Sequence, residues 1–316
     1  MMEDIERDRI PLVVAFTPDY FVPAVTCLFS ILEHASSDAD FHVICLLSEV
    51  LPDDMRKALD VFNEQRLQVT YLNLQGKLGD IYIDERYTEA ASYRLLLPDL
   101  LPWYDKVIYI DCDVVVRNDL AKLYRETSLS DCYLAAVFEA SLDSQLDYLK
   151  ALGISLGNYF NSGFLVMNLQ KLREDGMVDR LLQAAKVPTL QFPDQDVLNQ
   201  LCQGKVLALP PYYNSIRTFY LPQYKEAFLT YYSEENWSAV QAHGTVHYTG
   251  GKPWNTFTVE FGVWWYYYDQ LPATIRSMWR PNRWVYLLSR VYATPVGKFC
   301  LNRGQHLLRR YKYGIS

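Results

Sequence analysis

Short apolar runs alternate with amphipathic stretches along most of the chain, and this alternation predicts strands joined by helices. The runs are rich in Val, Ile, Leu and aromatic residues, which is typical of strands buried inside a sheet. They lie at 10–16, 41–47, 67–74, 107–116, 132–138, 160–169 and the start of 245–254. Helices are predicted at 20–34, at 52–65, within 91–102 with an end near Pro98, after Asp119, before residue 152, after residue 169 and at 193–202. This order indicates an α/β protein with a doubly wound, mostly parallel sheet.

The strand predicted at 107–116 carries two carboxylates, Asp111 and Asp113, in an otherwise apolar run. Alternate side chains of an extended chain point to the same side, so both carboxylates are expected to face one way. Two like charges at the end of a buried strand repel each other and are poorly solvated. A hard divalent cation between them would remove both penalties. The structural alternative, in which each Asp caps the following turn, stays open on this motif alone.

The stretch 245–254 supplies a candidate third ligand, His247. An imidazole with two carboxylates suits Mn²⁺ better than Mg²⁺. Gly250 and Gly251 permit a close approach of the backbone, and Lys252 offers a positive charge to a phosphate. A core histidine with satisfied hydrogen bonds is the structural alternative. The glycines and the lysine nearby favour a site for a metal and a diphosphate.

The composition is that of one large globular domain with a full core, since half of the 316 residues are hydrophobic. Six cysteines are scattered without a Cys-x-x-Cys pair, and the N-terminus does not resemble a signal peptide. Both features predict reduced thiols in a cytoplasmic protein. No stretch approaches eighteen apolar residues without a charge, so no membrane span is predicted.

The charge is distributed unevenly. Residues 270–316 contain nine Lys or Arg and no acidic residue, whereas the whole chain carries −7, so the preceding residues carry −16. The acidic body argues against nucleic-acid binding. The tail at 276–313 interleaves its basic residues with aromatic ones, which predicts contact with an anionic membrane surface. The alternative is a helical segment that packs its aromatic side chains on the domain, as is expected for part of 256–280. The predicted division is a catalytic domain at 1–260 and a helical, basic and aromatic region at 261–316.

Four motifs in order resemble those of the family 8 glycosyltransferases. They are "VIYIDCDVVV", "YFNSGFLVMNL", "FPDQDVLNQ" and "VHYTGGKPW", and the resemblance runs from about Ile10 to Trp254. It implies a single Rossmann-like domain of the nucleotide-diphospho-sugar transferase fold (GT-A type) and a retaining reaction. It further implies a UDP-sugar donor and a Mn²⁺ ion, with Mg²⁺ as the alternative, held by Asp111, Asp113 and His247.

The pattern is most similar to bacterial lipopolysaccharide galactosyl- and glucosyltransferases. The expected reaction therefore moves glucose or galactose from UDP to a glycan or lipid-linked glycan, on the inner face of the cell membrane. By the same resemblance Asp194 and Gln195 are the catalytic candidates, with Gln195 beneath the anomeric carbon. The residues expected to bind the donor are Thr17, Asp19, Tyr20, Arg94, Asp111, Cys112, Asn161, Asp194, Gln195, Gly250 and Lys252.

The chain departs from the family pattern in two places. Many members carry "A-x-D-x-N-Y" after the first strand, to hold uracil and ribose, whereas this chain has "AFTPDYF". Thr17 and Asp19 thus stand where Asp and Asn are usual. The loop "HYTGGKPW" is one residue shorter than the commoner spacing between His and Lys, which changes how Lys252 reaches the phosphate.

Two other functions fit the same motifs. A self-glucosylating protein of the glycogenin type resembles the same family, but glycogenin-like chains lack a basic aromatic tail. A regulator that binds a UDP-sugar without transferring it is the second alternative. The intact set of acidic, amide, histidine and lysine residues argues against this regulator.

Overall fold

A computed structural model describes residues 9–84 and 88–313, and of 305–313 only the helical backbone. Its strands are β1 (Ile10–Phe16), β2 (Phe41–Leu47), β3 (Leu67–Asn73), β4 (Lys106–Asp111), β5 (Val114–Val115), β6 (Leu134–Phe138), β7 (Phe160–Asn168), β8 (Val206–Ala208) and β9 (Val246–His247).

The helices include the predicted ones in their predicted order, and two between residues 225 and 243 that were not predicted. They are α1 (Phe21–His34), α2 (Asp53–Asp60), α3 (Glu89–Ser92), α4 (Leu97–Leu100), α5 (Leu120–Glu126), α6 (Leu146–Ala151), α7 (Leu169–Glu174), α8 (Met177–Ala184), α9 (Pro193–Leu201), α10 (Lys225–Tyr231), α11 (Glu234–His243), α12 (Phe261–Gln270), α13 (Ala273–Ser277), α14 (Arg283–Tyr292) and α15 (Pro295–Tyr313). Short 3₁₀ turns occupy Pro18–Tyr20, Tyr93–Leu96, Asp143–Gln145, Pro211–Tyr213, Arg217–Tyr220 and Pro222–Tyr224.

Seven strands form the main sheet in the order β3-β2-β1-β4-β7-β6-β8. The pairs β3–β2, β2–β1 and β1–β4 are parallel, as is β6–β8, whereas β7 runs antiparallel to both of its neighbours. The predicted α/β fold with a mostly parallel sheet is therefore confirmed. Because β7 is reversed, its first residues lie beside the carboxyl end of β4, with Phe164 opposite Ile110.

The prediction of one strand at 107–116 was wrong, because two strands occupy this segment. β4 ends at Asp111, a turn holds Cys112 and Asp113, and β5 then pairs with β9 in a separate two-stranded sheet. The apolar pattern does not reveal this break, because β5 is as buried as β4. The antiparallel pair places Val114 opposite His247, so a tertiary contact, and not alternation along one strand, brings the three candidate ligands together.

The prediction for 91–102 also needs correction. The helical segment continues past Pro98 to Leu100, in three short pieces. Pro98 stands in the first turn of α4, where a helix does not require a backbone N–H donor. The helix predicted at 52–65 is shorter than expected, since α2 ends at Asp60 and Asn63 has a positive φ of 55°.

The aromatic residues after Trp254 pack on the body of the protein. Trp264 lies 5.1 Å from Trp254 between ring centroids, and both are buried together with Tyr268. α12 packs against α1, and α14 packs against α12, where Arg290 forms an ion pair with Asp269. The division into 1–260 and 261–316 stays a prediction, and residues 1–8 and 314–316 at its outer ends lie outside the described residues.

Within the described residues, no helix combines the length and the apolar character needed to cross a membrane. All six cysteines are free.

Candidate active site

Asp111, Asp113 and His247 lie together at the carboxyl end of the central strands. The Nε2 atom of His247 is 3.3 Å from Oδ1 of Asp113 and 3.8 Å from Oδ2 of Asp111. One ligand atom from each residue falls within 4.8 Å of the others, close enough for a single ion to contact all three. Among the described residues this is the one such group of three. Two carboxylates and an imidazole are the ligand types that suit a divalent ion such as Mn²⁺.

The strand beside this group leaves room for it at Gly163. A Cβ atom at this position would lie 2.2 Å from Cε1 of His247 and 2.5 Å from Oδ2 of Asp111. Any side chain on Gly163 would therefore displace two of the three ligands. The space left at Gly163 and the ligand types of the three residues are both consistent with a bound metal ion.

A buried arginine orients the first carboxylate. Arg94 is 2% exposed and donates to Oδ1 of Asp111 at 2.8 Å. The hydroxyl of Tyr109 donates to the same oxygen at 2.9 Å, and its ring lies 4.3 Å beneath the guanidinium. Because both donors bind Oδ1, Oδ2 of Asp111 is left facing His247. Arg94 also forms an ion pair with Asp194 at 3.1 Å.

Lys252 contacts the second carboxylate. Its ammonium group donates to Oδ2 of Asp113 and to the carbonyl of Tyr248, the latter at 2.8 Å. Burial alone would raise the pKa of Asp113, but Lys252 and, in its protonated form, His247 together outweigh burial and hold that pKa well below its usual value. The carboxylate is therefore ionised and ready to bind a cation. Gly250, at φ 93°, shapes the loop that carries the lysine.

The first turn of α9 and the start of β7 form the next part of the site. The Oε1 atom of Gln195 accepts from the backbone N–H of Ser162 at 2.9 Å and from Nδ2 of Asn161 at 3.1 Å. Asp194 accepts from the Ser162 hydroxyl at 3.1 Å and pairs with Arg94. Burial raises the pKa of Asp194 above its usual value. These amide and carboxyl groups line a cavity of about 360 Å³ that also contains the three candidate metal ligands.

A second cavity, of about 370 Å³, is lined in part by Asp111 and Asp113. Thr17, Tyr20 and Cys112 line it, and the Tyr20 ring packs edge-on against Trp254 at 5.8 Å. Asp19 is exposed and lines neither cavity. The two cavities share five residues, which are Ala91, Asp111, Asp113, Gly250 and Lys252. The structure thus brings together all the predicted site residues except Asp19.

Sequence reasoning missed four further residues of the site: Tyr109, Glu139, Gly163 and Asn214. Burial raises the pKa of Glu139 to about 7, and its carboxylate lies 3.5 Å from Nδ2 of Asn161. Asn214 is fully buried beside His247. The glycine stands inside a quoted motif and Glu139 follows an apolar run, but neither spacing nor composition marks them as site residues.

The family model that matches this chain is that of Glycosyl transferase family 8, and it covers residues 11–258. That range contains every site residue described above. The chain belongs to glycosyl transferase family 8. It is a glycosyltransferase, as the resemblance of its motifs implied.

Two relatives illustrate the range of proteins that the chain is similar to. The lipopolysaccharide 1,2-glucosyltransferase of Escherichia coli (strain K12) is 27% identical over 239 residues, which cover 72% of this chain and 68% of that protein. General stress protein A of Bacillus subtilis (strain 168) is 24% identical over 264 residues, which cover 80% of this chain and 91% of that protein.

A solved structure supports the predicted fold. The galactosyltransferase LgtC, in complex with donor and acceptor sugar analogs, superposes with a TM-score of 0.69 at 23% identity. The match covers 85% of this chain and 100% of that chain. The family 8 chain therefore has a GT-A type fold, as the sequence predicted.

Proposed function

We propose that this family 8 protein is a retaining, metal-dependent enzyme that transfers glucose or galactose from a UDP-sugar to a glycan, in the synthesis of lipopolysaccharide or another bacterial surface polysaccharide. The observation that carries the proposal is the joining of two cavities at Asp111, Asp113 and Lys252. One cavity suits a nucleotide and the other a sugar, with the positive charge for a diphosphate between them. The names of the Escherichia coli relative and of LgtC agree with this substrate class.

Asp111, Asp113 and His247 would hold the ion, which we propose to be Mn²⁺, with Mg²⁺ as the alternative. When bound, such an ion stabilises the negative charge that develops on a departing diphosphate. The protein supplies further positive charge in Lys252, which lines both cavities. Arg94 adds a buried charge that water screens poorly, because its side chain is 2% exposed.

The sugar end of the site offers hydrogen bonds but a poor nucleophile. The amides of Asn161 and Gln195 and the carboxylate of Asp194 line this cavity and are suited to bind sugar hydroxyls. An amide oxygen such as that of Gln195 attacks an anomeric carbon poorly. Asp194 is held by Arg94 and Ser162 at 3.1 Å each, which lowers its availability as a nucleophile. We therefore favour attack by the acceptor on the same face that the leaving group departs from, with a phosphate oxygen taking the acceptor proton.

We assign Thr17, Tyr20 and Cys112 to the nucleotide end, since all three line the second cavity. Asp19, which is exposed and precedes Tyr20 in the chain, is assigned to the base on the family pattern alone.

The C-terminal helices carry a surface that we propose to contact the inner face of an anionic membrane. Trp284, Leu287 and Val291 form a stripe along α14 and are 77%, 45% and 52% exposed. Arg280 and Arg283 are exposed nearby. Each such cation near an anionic bilayer contributes on the order of 1 kcal/mol. This location would present the enzyme to a lipid-linked glycan, in agreement with the proposed division at residue 260.

The reaction is tested by incubating the full chain with UDP-glucose, UDP-galactose or UDP-N-acetylglucosamine, with Mn²⁺ or with EDTA, and measuring released UDP. We expect slow, Mn²⁺-dependent release from one of the two hexose donors, and loss of release in Asp113→Ala. Release that EDTA does not reduce would contradict metal dependence. A stepwise gain in the mass of the protein itself would instead favour a self-glycosylating protein.

A further inference from the structure

Asn214 lies between the candidate metal ligand His247 and the sugar end of the site. Its side chain is fully buried, and both ends of its amide are bonded. Nδ2 of Asn214 donates to Oδ1 of Asn161 at 3.0 Å, and its Oδ1 lies 3.0 Å from Nδ1 of His247. Asn214 therefore connects the two halves of the site through two hydrogen bonds.

Backbone groups determine the direction of these hydrogen bonds. The N–H of Ser162 can only donate, so the atom of Gln195 that faces it at 2.9 Å must be its oxygen. That oxygen also accepts from Asn161, so Nδ2 of Asn161 faces Gln195. The backbone N–H of Gly163 donates to the other end of the Asn161 amide, at 3.1 Å, which agrees with an oxygen there. Asn161 is thus held in one orientation from both sides.

The orientation of Asn161 in turn fixes that of Asn214. Only the amino group of Asn214 can bond the oxygen of Asn161, so the oxygen of Asn214 must face His247. An oxygen at 3.0 Å requires a proton on Nδ1 of the imidazole. In a neutral imidazole the lone pair is then on Nε2, the atom nearest to both candidate carboxylate ligands.

The backbone holds Asn214 rigidly in this position. The next residue, Ser215, pairs with β9 on both sides: its N–H donates to Thr245 at 2.8 Å and its carbonyl accepts from His247 at 3.0 Å. Backbone hydrogen bonds therefore join the loop that carries Asn214 to the strand that carries His247.

We propose that Asn214 is a positioning residue that selects the Nδ1-protonated form of His247 and so presents the Nε2 lone pair to the metal ion. This inference rests on the proposed function, because it assumes the metal site. Asparagine is suited to this position because its amide both accepts from His247 and donates to Asn161. A partner that orients a ligating histidine is typically worth about 10- to 100-fold in metal affinity.

Two variants separate the effect of the hydrogen bond to His247 from that of the hydrogen bond to Asn161. Asn214→Leu removes both hydrogen bonds. Asn214→Asp keeps an acceptor for Nδ1 of His247 but loses the donor to Asn161. We expect Asn214→Leu to bind Mn²⁺ about 10- to 100-fold more weakly than the unchanged protein. We expect Asn214→Asp to keep Mn²⁺ affinity within about threefold and to lose release of UDP from the donor.

The measurement is electron paramagnetic resonance of Mn²⁺ bound to the full chain. A titration gives the affinity, and modulation of the electron spin echo by a directly bound nitrogen reports ligation by histidine. We expect the nitrogen modulation in the unchanged protein and in Asn214→Asp, and its loss in His247→Ala and in Asn214→Leu. Thermal unfolding of each variant identifies one that fails to fold, and if Asn214→Leu fails, Asn214→Ala, which also removes both hydrogen bonds, takes its place.

Equal Mn²⁺ affinity and modulation in folded Asn214→Leu and in the unchanged protein would overturn the inference. An equal loss of Mn²⁺ in Asn214→Asp and Asn214→Leu would also overturn it, since that result indicates a merely structural role. Failure of the unchanged protein to bind Mn²⁺ would instead overturn the proposed metal site, and the inference with it.

Discussion

Gly163 is a residue whose small size leaves space for two of the candidate metal ligands. Its backbone passes so near His247 and Asp111 that an added Cβ would come within 2.5 Å of atoms of both. The glycine is not required for a left-handed conformation, because its φ is not positive. Its small size is what the site requires.

We expect Gly163→Ala to weaken Mn²⁺ binding by on the order of 10- to 100-fold, because the methyl group displaces two ligands. It should also lower the free energy of unfolding by about 1–3 kcal/mol through overpacking. Isothermal titration with Mn²⁺ and chemical unfolding measure the two effects. Gly304→Ala is a matched control, since a Cβ there meets nothing within 4 Å. Unchanged Mn²⁺ affinity in Gly163→Ala would show that the ion binds elsewhere.

Glu139 makes the stability of the protein depend on pH. Burial is the main reason that its pKa rises to about 7, from an ordinary value of 4.5. The folded state therefore keeps a proton that the unfolded state releases, so stability is full below pH 4.5 and falls as the pH rises to about 7. At about 1.4 kcal/mol for each pKa unit, the full loss is at most about 3 kcal/mol.

Glu139→Gln removes this titration. We expect the free energy of unfolding of the variant, minus that of the unchanged protein, to increase as the pH rises from 5 to 7.5 in the presence of EDTA. Urea unfolding at several pH values measures the difference, and Glu226→Gln, at an exposed glutamate, serves as the control. A difference that does not change with pH would contradict the raised pKa.

At the scale of elements, the reversed direction of β7 and the small sheet of β5 and β9 build the site. If β7 ran parallel to β4, it would begin beside the amino end of β4, and Asn161 would lie far from Asp111. The β5–β9 pair holds His247 opposite Val114, next to Asp113. The chain after β5 is in turn anchored at Asp119, the N-cap of α5, which accepts from the backbone N–H groups of Ala121 and Lys122.

We expect Asp119→Ala to lower the free energy of unfolding by about 1–2 kcal/mol, because the first turn of α5 loses its cap. The hydroxyl of Ser36 also donates to Asp119, so the loss should fall at the upper end of this range. Chemical unfolding measures it, with Asp131→Ala at an exposed turn as the control. Equal effects of the two substitutions would argue against the cap as the source of stability.

At the scale of the whole molecule, positive charge and exposed apolar side chains occur together in the C-terminal part of the chain. The residues before 270 carry −16 and the rest +9, and the exposed side chains of α14 belong to the positive part. An acidic body avoids an anionic bilayer while a basic end approaches it. The predicted contact would therefore orient the enzyme as well as bind it. The tail residues after Gly304, which the prediction includes, lie outside the described side chains.

We expect the double variant Trp284→Ala and Leu287→Ala to bind anionic vesicles at least about tenfold more weakly than the unchanged protein, since it loses two exposed apolar side chains that would enter the interface. Co-sedimentation with phosphatidylglycerol vesicles measures binding, and Trp103→Ala, at a residue 40% exposed and outside the C-terminal helices, is the control. Binding that both variants retain equally would exclude α14 as the contact.

Much of this organisation was predictable from local pattern. Strands such as β1 and β2 agree with prediction residue for residue, because buried strands need continuous apolar runs and such runs are visible in the sequence. The chemical types of the candidate ligands were equally visible, as was the basic tail, since a charged residue in an apolar run stands out.

The spatial arrangement of the site depended on tertiary structure. Asp111 and Asp113 meet His247 through a turn and a second sheet, which the uniform burial of β4 and β5 conceals. Gly163, Glu139 and Asn214 act through neighbours that are distant in sequence, such as His247 for both Gly163 and Asn214. The sequence by itself determined most of the strands and helices and the chemical types of the candidate ligands, because local hydrophobicity and side-chain chemistry are properties of single segments. Only the packed structure decided which groups touch, because contacts between distant segments depend on strand direction, turns and the volume left free between them.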